Sequence, residues 1–583
     1  MGLKITYTKF SNAPIQGSDL SGRNRGTHCA RMAWLVLVFC AAAAIASPAQ
    51  TFNSLVSFNT NDGSNPLYVS LVQGLDGNYY GTTQYGGVSG QGNVFAVTPG
   101  GTVTSLYSFC SQLGCADGKW PLAGLLLATN GIFYGTTQEG GANGQGTVFS
   151  ITSAGTLTTL YSFCSQTNCS DGNFPEGGLI QASNGNFYGF AYEGGSFGFG
   201  TFFEITSAGK LTTLYNFSGN DGGQPIATPV QGTNGNFYGT AYAGGGALHG
   251  TIFEITPGGK LTTLYTFCTL PSCDDGSFPI GALVQAPNGT FYGTASGNGL
   301  NGQGTVFEIT SAGKFTVLYN FCSLSGCADG ATPLGGLVLA TDGNFYGTTE
   351  IGGTDNQGTV FRMTPAGKLT TLHSFDVTDG SLVTGGLLQA TNGSFYGITQ
   401  NGGAGNVGCQ LPQGCGTVFS VSVGLGPFVE TLPSFGKVGA GITILGNNLT
   451  GATGVSFGGT AAAYKVVSGS EIQAQVPAGA TTGTVQVVLP SGTLNSNAAF
   501  RVTPQIKSFN PPSGPVGTQV VITGVSLTQT LGVGFGDTIP AQFTVNSDTQ
   551  VTATVPSGAK SGPIGIKTKG GTAISKQAFT VTP

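Results

Sequence analysis

Between residues 52 and 423 apolar and polar positions alternate in short runs, and the runs recur in a fixed order. The unit 177–217 displays that order as "GGLIQAS" (177–183), "NFYGFAY" (186–192), "GTFFEITS" (200–207) and "KLTTLYNF" (210–217). Each run is rich in β-branched and aromatic residues and is bounded by turn formers, so the four predict strands, here termed a, b, c and d. Asn184-Gly185 separates a from b, a two-residue hairpin signal, and Ser-Ala-Gly or Pro-Gly-Gly separates c from d. No run spaces apolar residues three and four apart over ten positions, which excludes a helical repeat.

The Tyr-Gly pairs begin at Tyr80, Tyr134, Tyr188, Tyr238, Tyr292, Tyr346 and Tyr396, so successive units are 54 or 50 residues long. Self-similarity at this period marks a propeller or a solenoid. Four antiparallel strands per unit make one propeller blade. The ends of the array separate the two readings. "FNSLVSF" (52–58) reads as a d strand with no c strand before it, and the last unit stops at its c strand, "GTVFSVSV" (416–423). An N-terminal d strand that completes the seventh unit closes a ring and removes its free edges, whereas an open solenoid needs no such offset. The expected fold is all-β: a seven-bladed β-propeller of four-stranded blades over 50–424, its ring closed by the N-terminal strand.

The unit "NGNFYGTTxxGG…GTVFxITxxGxLTTLYxF" resembles the bacterial GloVer tandem-repeat proteins over about 52–423. That resemblance implies a secreted or surface-anchored repeat protein and no particular chemistry. From Pro427 a second period of about 78 residues begins. "VGAGITILGNNL" (438–449) answers "VGTQVVITGVSL" (516–527), and "AQVPAGATTGTVQV" (474–487) answers "ATVPSGAKSGPIGI" (553–566). Short alternating strands with Gly/Pro turns predict two immunoglobulin-like sandwiches, 427–504 and 505–583. "SFNPPSGPVGTQVVITG" and "VTATVPSGAKSG" are similar to IPT/TIG domains. The first copy lacks the Pro-Ser-Gly-Pro line, which leaves its first strand undefined.

Composition sharpens the picture. Only 7% of the residues are charged while 10% are aromatic, which argues against disorder despite 101 glycines. A net charge of −5 offers no basic surface for nucleic acid or for anionic lipid. Residues 1–49 read as a leader: Arg23, Arg25 and Arg31 precede the apolar run "MAWLVLVFCAAAAIA" (32–46) and small residues suited to cleavage. The run is short for a membrane span, an uncleaved anchor being the alternative. A secreted or cell-surface location is expected.

Beyond the leader the cysteines fall into five close pairs: Cys110/Cys115, Cys164/Cys169, Cys268/Cys273, Cys322/Cys327 and Cys409/Cys415. The first four coincide with the intervals of 54 residues, so each pair arrives with a four-residue insertion after strand d. The fifth sits in a different loop, between b and c. Disulfides are expected, each adding about 2 kcal/mol at most because its loop is small, so that a pair pins a loop more than it holds the fold. Zinc is the alternative, but it wants four converging ligands, and His249 and His373 are the only histidines beyond the leader.

An Asp-Gly follows each d strand, at Asp62, Asp117, Asp171, Asp221, Asp275, Asp329 and Asp379. Turn chemistry explains such a pair, with Asp bonding nearby backbone and Gly supplying positive φ. A ring of carboxylates at the mouth of the channel, holding a cation or a sugar, is the sharper alternative. The b–c loops carry Gln84, Tyr85, Gln138, Glu139, Tyr192, Glu193, Tyr242, Glu350 and Gln400, a candidate ligand face of stacking rings and hydrogen-bonding groups. No phosphate-binding loop, catalytic triad or assignable carboxylate pair is visible. The expected protein is therefore non-enzymatic: a monomer without cofactor or metal, contacting a glycan, a polymer or a surface protein, with the Ig-like modules as spacers. The alternative is an extracellular polysaccharide-degrading hydrolase or lyase using the same face.

Overall fold

The computed structural model describes residues 50–403, 409, 414–536 and 539–583. The expected leader, 1–49, lies outside the described residues.

Each repeat folds into one antiparallel sheet in the order a-b-c-d. In sheet three these are Ile180–Gln181, Phe187–Ala191, Thr201–Ile205 and Leu211–Asn216. Strand a is two residues long, against the seven of the expected run, because its flanks are glycines packed on the neighbouring sheet's backbone: a Cβ on Gly177 would lie 2.5 Å from the Ile226 carbonyl oxygen. Strands b and c are almost wholly buried, whereas d is half-exposed. Simple alternation fails here because both faces of the inner strands are covered by neighbouring sheets.

The expected seven-bladed β-propeller with strand-pairing closure is corrected by the sheet topology. Among the described residues pairing yields seven separate four-stranded sheets, and no hydrogen-bonded strand ladder passes from one to the next, so pairing closes neither a barrel nor a ring. The N-terminal strand Thr51–Ser57 pairs with Thr417–Ser422 and completes sheet seven, and its pairing ends there.

Side chains and loops make the contacts between sheets. The recurring Phe-Tyr-Gly phrase supplies them. The tyrosine of each b strand stacks on the ring at the phenylalanine position of the next: Tyr134 on Phe187 at 4.1 Å, Tyr188 on Phe237 at 4.3 Å, and so on to Tyr396 on Tyr79 at 4.1 Å. Offset aromatic pairs at this separation add to the burial of their large apolar surfaces. The glycine makes room for the c strand, since a Cβ on Gly189 would sit 2.7 Å from Leu179 Cδ2 and 2.8 Å from Phe203 Cζ. Gly189→Ala is therefore expected to cost about 1–3 kcal/mol by overpacking. An unshifted urea midpoint would disprove the close fit.

Loop backbone also crosses between sheets. The residue before the repeat proline has positive φ (Trp120 57°, Phe174 55°, Phe278 57°), and its N–H donates to the preceding sheet's b–c loop, as Trp120 N–H does to Gln91 O at 2.9 Å.

Beyond the seven sheets lie two units, each with two facing sheets; the first also has a parallel two-stranded pair, Phe435–Gly436 with Arg501–Val502. In the first, Ile442, Ile444 and Ile472 pack against Phe457, Val485 and Val487. Its undefined first strand is Glu430–Leu432, antiparallel to Gly441–Leu445. In the second, Val520, Ile522 and Val551 pack against Phe535, Ile564 and Ile566. The first unit meets the a–b turns of the repeats: Ser470 Oγ donates to Leu75 O at 2.6 Å, and Phe428 N–H to Thr391 O at 3.0 Å. This docking leaves the opposite loops uncovered. Among the described residues no helix is long and apolar enough to cross a membrane.

Candidate functional site

The b–c and d–a loops lie together on the face away from the first C-terminal unit. Isolated bridges join them in every repeat, including Ser64 with Tyr85, Lys119 with Glu139, and Asn173 with Glu193. A cavity of ≈ 300 Å³ runs between the sheets, and the segment leading into strand a of each of the seven contributes to its wall. Leucines, isoleucines and glycines form most of the lining, with Tyr68, Glu176 and Thr384 among its few polar side chains.

Gln84, Gln138, Tyr192, Tyr242, Glu350 and Gln400 occupy one equivalent position, immediately after strand b. Each N–H donates to the carbonyl of a residue in its own repeat's d–a loop, for example Tyr192 to Phe174 O at 3.0 Å. Four of the six are tied to the cavity residues. Gln138 Nε2 donates to Glu176 Oε1 at 2.7 Å. Tyr68 feels, after its own burial, the charges of Glu176 and Glu350 and the hydroxyls of Tyr242 and Tyr192, and its pKa is pushed up to about 12. Burial raises the Glu176 carboxyl above the ordinary carboxylate range, partly opposed by the Gln138 bond and reinforced by Glu193. Burial alone raises Glu350. Tyr68 and Glu176 line the cavity; Gln138 bonds Glu176, and Glu350, Tyr192 and Tyr242 stand near enough to Tyr68 to shift it, although none of these four is part of the cavity wall.

Tyr85 and Glu139 point elsewhere. Glu139 is ion-paired with Lys119 at 2.8 Å, and Lys119 Nζ stands 4.3 Å from the centre of the Trp120 ring, which Tyr85 meets edge-on at 6.2 Å. Sequence reasoning missed Glu176 and Tyr68. The signal for Glu176 was an acid following the repeat proline, where other repeats carry Leu122, Ile226, Ile280 and Leu334. Tyr68 falls where the first repeat is one residue longer than its neighbour between the Asp-Gly and the leucine of strand a.

The seven Asp-Gly aspartates do not line the cavity. Asp117, Asp171, Asp275 and Asp329 are fully buried, and each accepts the hydroxyl of the preceding strand d tyrosine, as from Tyr107 at 2.8 Å and Tyr319 at 2.7 Å. Backbone N–H groups of the cysteine loop complete the set, as from Ser111 at 2.9 Å and Ser323 at 2.9 Å. Asp221 is bonded to Tyr215, Asp379 to His373, and Asp62 to Asn59. The aspartates hold the loops rather than form a carboxylate ring.

Disulfides join Cys110 to Cys115, Cys164 to Cys169, Cys268 to Cys273, Cys322 to Cys327 and Cys409 to Cys415. The second cysteine of each of the first four pairs also carries a backbone carbonyl that reaches beyond its own loop. Cys115, Cys169, Cys273 and Cys327 each end a short 3-10 turn, with positive φ of 56°, 52°, 57° and 52°. That backbone aims the carbonyl between two loops, and each one accepts two N–H groups. Cys115 O takes Gly118 N–H and Gly141 N–H, both at 2.9 Å; Cys327 O takes Gly330 N–H at 2.8 Å and Gly353 N–H at 2.9 Å. The first donor of each set follows the buried aspartate, and the second belongs to the b–c loop. These cysteines therefore tie the two loop sets together. Cys415 departs further from a surface loop. It is fully buried in the core around Phe58, Leu71 and Val418, and its carbonyl accepts Asn65 N–H at 3.0 Å. Its sulfur serves there as a small apolar side chain as well as a cross-link.

Burial opposes ionisation of Asp117 and Asp329, but the donated bonds outweigh it and hold both pKa values below normal. A depressed folded pKa stabilises the fold above the unfolded value of about 3.9, and the contribution disappears as pH falls through the folded value. Denaturation midpoints followed from pH 5 to pH 2 should fall less steeply for Asp117→Asn than for the parent. Parallel curves would show that the carboxylate charge is not what the loop uses.

His249 lies beside one disulfide: a ring nitrogen of His249 and the sulfurs of Cys268 and Cys273 are within 4.8 Å of one another. His249 and Cys268 lie 19 residues apart in sequence, on the b–c and d–a loops, which share this face.

A model of the Gloeobacter/Verrucomicrobia repeat matches residues 43–183, 164–338 and 323–499, and an IPT/TIG domain model matches 504–582. The second sandwich alone is matched by the latter. A search of curated proteins gives no match. Among solved structures the chain is similar to the surface glycan-binding protein PbSGBP-B of Prevotella bryantii, with 20% identity and TM-score 0.20 over 25% of this chain. It spans only 38% of that protein's chain. A fungal alcohol oxidase of the AA5 family, solved with copper, aligns at 13% identity and TM-score 0.41 over 91% of this chain and 99% of its own. The periplasmic gluconolactonase of Pseudomonas aeruginosa aligns at 16% identity and TM-score 0.34, over 59% of this chain and 99% of its own.

The expectation of a protein without enzymatic activity is corrected. It rested on the lack of an assignable carboxylate pair and of a histidine with partners. Glu176 and Glu350 stand apart from the other repeats' residues, and His249 has two cysteines beside it.

Proposed function

The chain belongs to the Gloeobacter/Verrucomicrobia repeat family, and from that premise and the geometry of the loop face we propose that it is an extracellular carbohydrate-degrading enzyme. Its site is the cavity mouth, where Glu176 and Glu350 act as proton donor and acceptor on a glycan held among Tyr68, Tyr192 and Tyr242. The observation that carries this reading is the pair of partly buried carboxyls, Glu176 and Glu350, both pushed up in pKa on a face where Asp117 and Asp329 are held below normal. Proton transfer at a glycosidic oxygen needs a carboxylic acid that keeps its proton near the working pH, and desolvation is how proteins make one. Stacking rings and neutral amides are the groups that hold a sugar.

Hydrolysis fits better than elimination. A lyase that used tyrosine as its base would need a lowered phenol pKa, and burial pushes Tyr68 the other way, to about 12. Export is supported by the leader sequence and by five disulfides, which an oxidising compartment permits. Residues 427–504 are a second module of the IPT/TIG kind, supported by two facing sheets around one core, and both modules act as spacers behind the loop face. The test is release of new reducing ends from a panel of soluble polysaccharides by the chain from Gln50 onward, alongside a binding screen of the same panel. Binding without release, unaltered in Glu176→Gln, would overturn the enzymatic reading.

A further inference from the structure

We propose that His249, Cys268 and Cys273 form a redox-gated site for a thiophilic divalent metal, with zinc as its natural probe. Oxidised, the two sulfurs are joined and the site is shut; reduced, the three side chains supply a nitrogen and two thiolates to one ion.

The repeats provide the argument by comparison. Four cysteine loops share one construction: a disulfide between residues five apart, closing over a buried aspartate. The b–c loop of the same repeat places one side chain at a fixed position, whose carbonyl accepts the N–H of the positive-φ residue in the next loop. In three of the four that side chain is glutamine: Gln91, Gln145 and Gln303. In the fourth it is His249, whose carbonyl accepts Phe278 N–H at 2.9 Å. Glutamine is a poor ligand for zinc, and imidazole with thiolate a good one.

A neighbouring carbonyl also fixes the tautomer of the histidine. Its Nδ1 is hydrogen-bonded to Ala247 O, and a carbonyl can only accept, so Nδ1 carries the proton and Nε2 keeps its lone pair. A second hydrogen bond that fixes the tautomer in this way is the usual support of a metal-binding imidazole. The ring lies 5.3 Å from that of Phe278, which limits its swing. This loop differs from its sisters in one more respect. Asp117, Asp171 and Asp329 each accept a second backbone N–H through Oδ1, from Gln112, Gln166 and Leu324. Asp275 Oδ1, although buried, has no partner. The loop 268–273 is therefore held less tightly by its aspartate, and it is the one beside the histidine.

The gate is a two-electron step. A phosphine reductant cleaves the Sγ–Sγ bond and takes up the oxygen of one water to become a phosphine oxide, leaving two thiols. Zinc then displaces two protons to form two Zn–S bonds and accepts the Nε2 lone pair, with water in the fourth position.

The experiment compares zinc and cobalt(II) binding by the chain from Gln50 onward, before and after phosphine treatment, against a chromogenic chelator. The reduced protein should show one equivalent that depends on His249, with sulfur-to-cobalt charge-transfer absorption. The oxidised protein should show no such equivalent. His249→Gln, which installs the residue of the sister loops, should weaken that equivalent by on the order of 100-fold or more, beyond what loss of an outer hydrogen-bond partner costs. Gln145→His should add a second equivalent at Cys164 and Cys169. Equal binding by the reduced parent and His249→Gln, at any stoichiometry, would overturn the proposal, as would an equivalent retained by the oxidised protein.

Discussion

Glu176→Gln should lower the release of reducing ends roughly 10²- to 10⁴-fold, the range a positioned acid or base contributes, and should make the protein more stable at pH 7. The two effects have one cause. Glu176 is desolvated at the cavity mouth, so its ionised form is disfavoured in the folded chain, and one neutral amide from Gln138 only partly offsets the loss. A carboxyl whose folded pKa lies above its unfolded value contributes its stability fully below the unfolded value, about 4.3 for Glu. That contribution is lost as pH rises through the folded pKa. Glutamine has no charge to desolvate, so the variant's thermal advantage should grow between pH 4 and pH 7 and vanish in acid. Glu350→Gln should show the same trend, since burial alone raises it. A residue kept at a cost in stability is what a working site predicts. If both variants melt as the parent does at every pH and release sugar at its rate, the mouth is ordinary surface.

Much of the architecture was legible because the repeat is a packing motif as well as a sequence motif. The Tyr-Gly pairs count sheets, Asn-Gly marks the a–b turn, and an orphan d strand at 52–58 predicts the pairing of Thr51–Ser57 with Thr417–Ser422. Linkage between sheets was less legible. It uses rings stacked at about 4 Å and loop N–H groups rather than strand ladders, and a one-dimensional pattern of strands says nothing about either. The site divided along similar lines. The position after strand b was visible as polar variation between glycines, which brought in Gln138, Tyr192, Tyr242 and Glu350. Glu176 was hidden in a stretch read only for its Asp-Gly and proline, although an acid among leucines and isoleucines at one repeat position was there to be seen. Seven carboxylates at one repeat position invite a ring, yet strand d presents Tyr107, Tyr161, Tyr265 and Tyr319 as donors, and these draw the buried carboxylates into the loops. Cysteine spacing gave the pairs but not their reach: the carbonyls of Cys115 and Cys327 serve a second loop, and Cys415 enters the core. His249 was set aside because zinc wants four converging ligands. Because b–c and d–a loops share a face, it stands beside Cys268 and Cys273 all the same.

A chain that begins at Thr60 instead of Gln50 should fail to fold stably, or should aggregate on concentration. The missing segment is the fourth strand of sheet seven, paired along its length with Thr417–Ser422. It also carries two aromatic anchors. Phe52 stacks on His373 at 3.6 Å, in sheet six, and lies 5.8 Å from Phe419, in sheet seven. Phe58, 1% exposed, meets Phe95 of sheet one edge-on at 5.0 Å. One strand therefore touches three sheets. Emptying a buried phenylalanine site such as that of Phe58 costs about 3–5 kcal/mol, and with the half-buried Phe52 and a strand ladder the loss approaches the roughly 5–15 kcal/mol that holds a whole domain together. The truncation also leaves Thr417–Ser422 as an unpaired edge made of Thr, Val, Phe and Ser, a ready template for another chain. Thermal melts and size-exclusion profiles of the two chains provide the comparison, with Phe52→Ala as a milder variant that keeps the strand. A synthetic peptide of residues 50–59 should restore the melt by adding the strand from solution, since backbone pairing and two ring pockets are what it offers. If the shortened chain melts at the parent temperature and stays monodisperse, the N-terminal strand is an ornament of sheet seven, and contacts such as the Tyr396–Tyr79 stack, the Gln73–Thr391 hydrogen bonds and the Asn65–Cys415 backbone bond suffice to hold the ends of the array together.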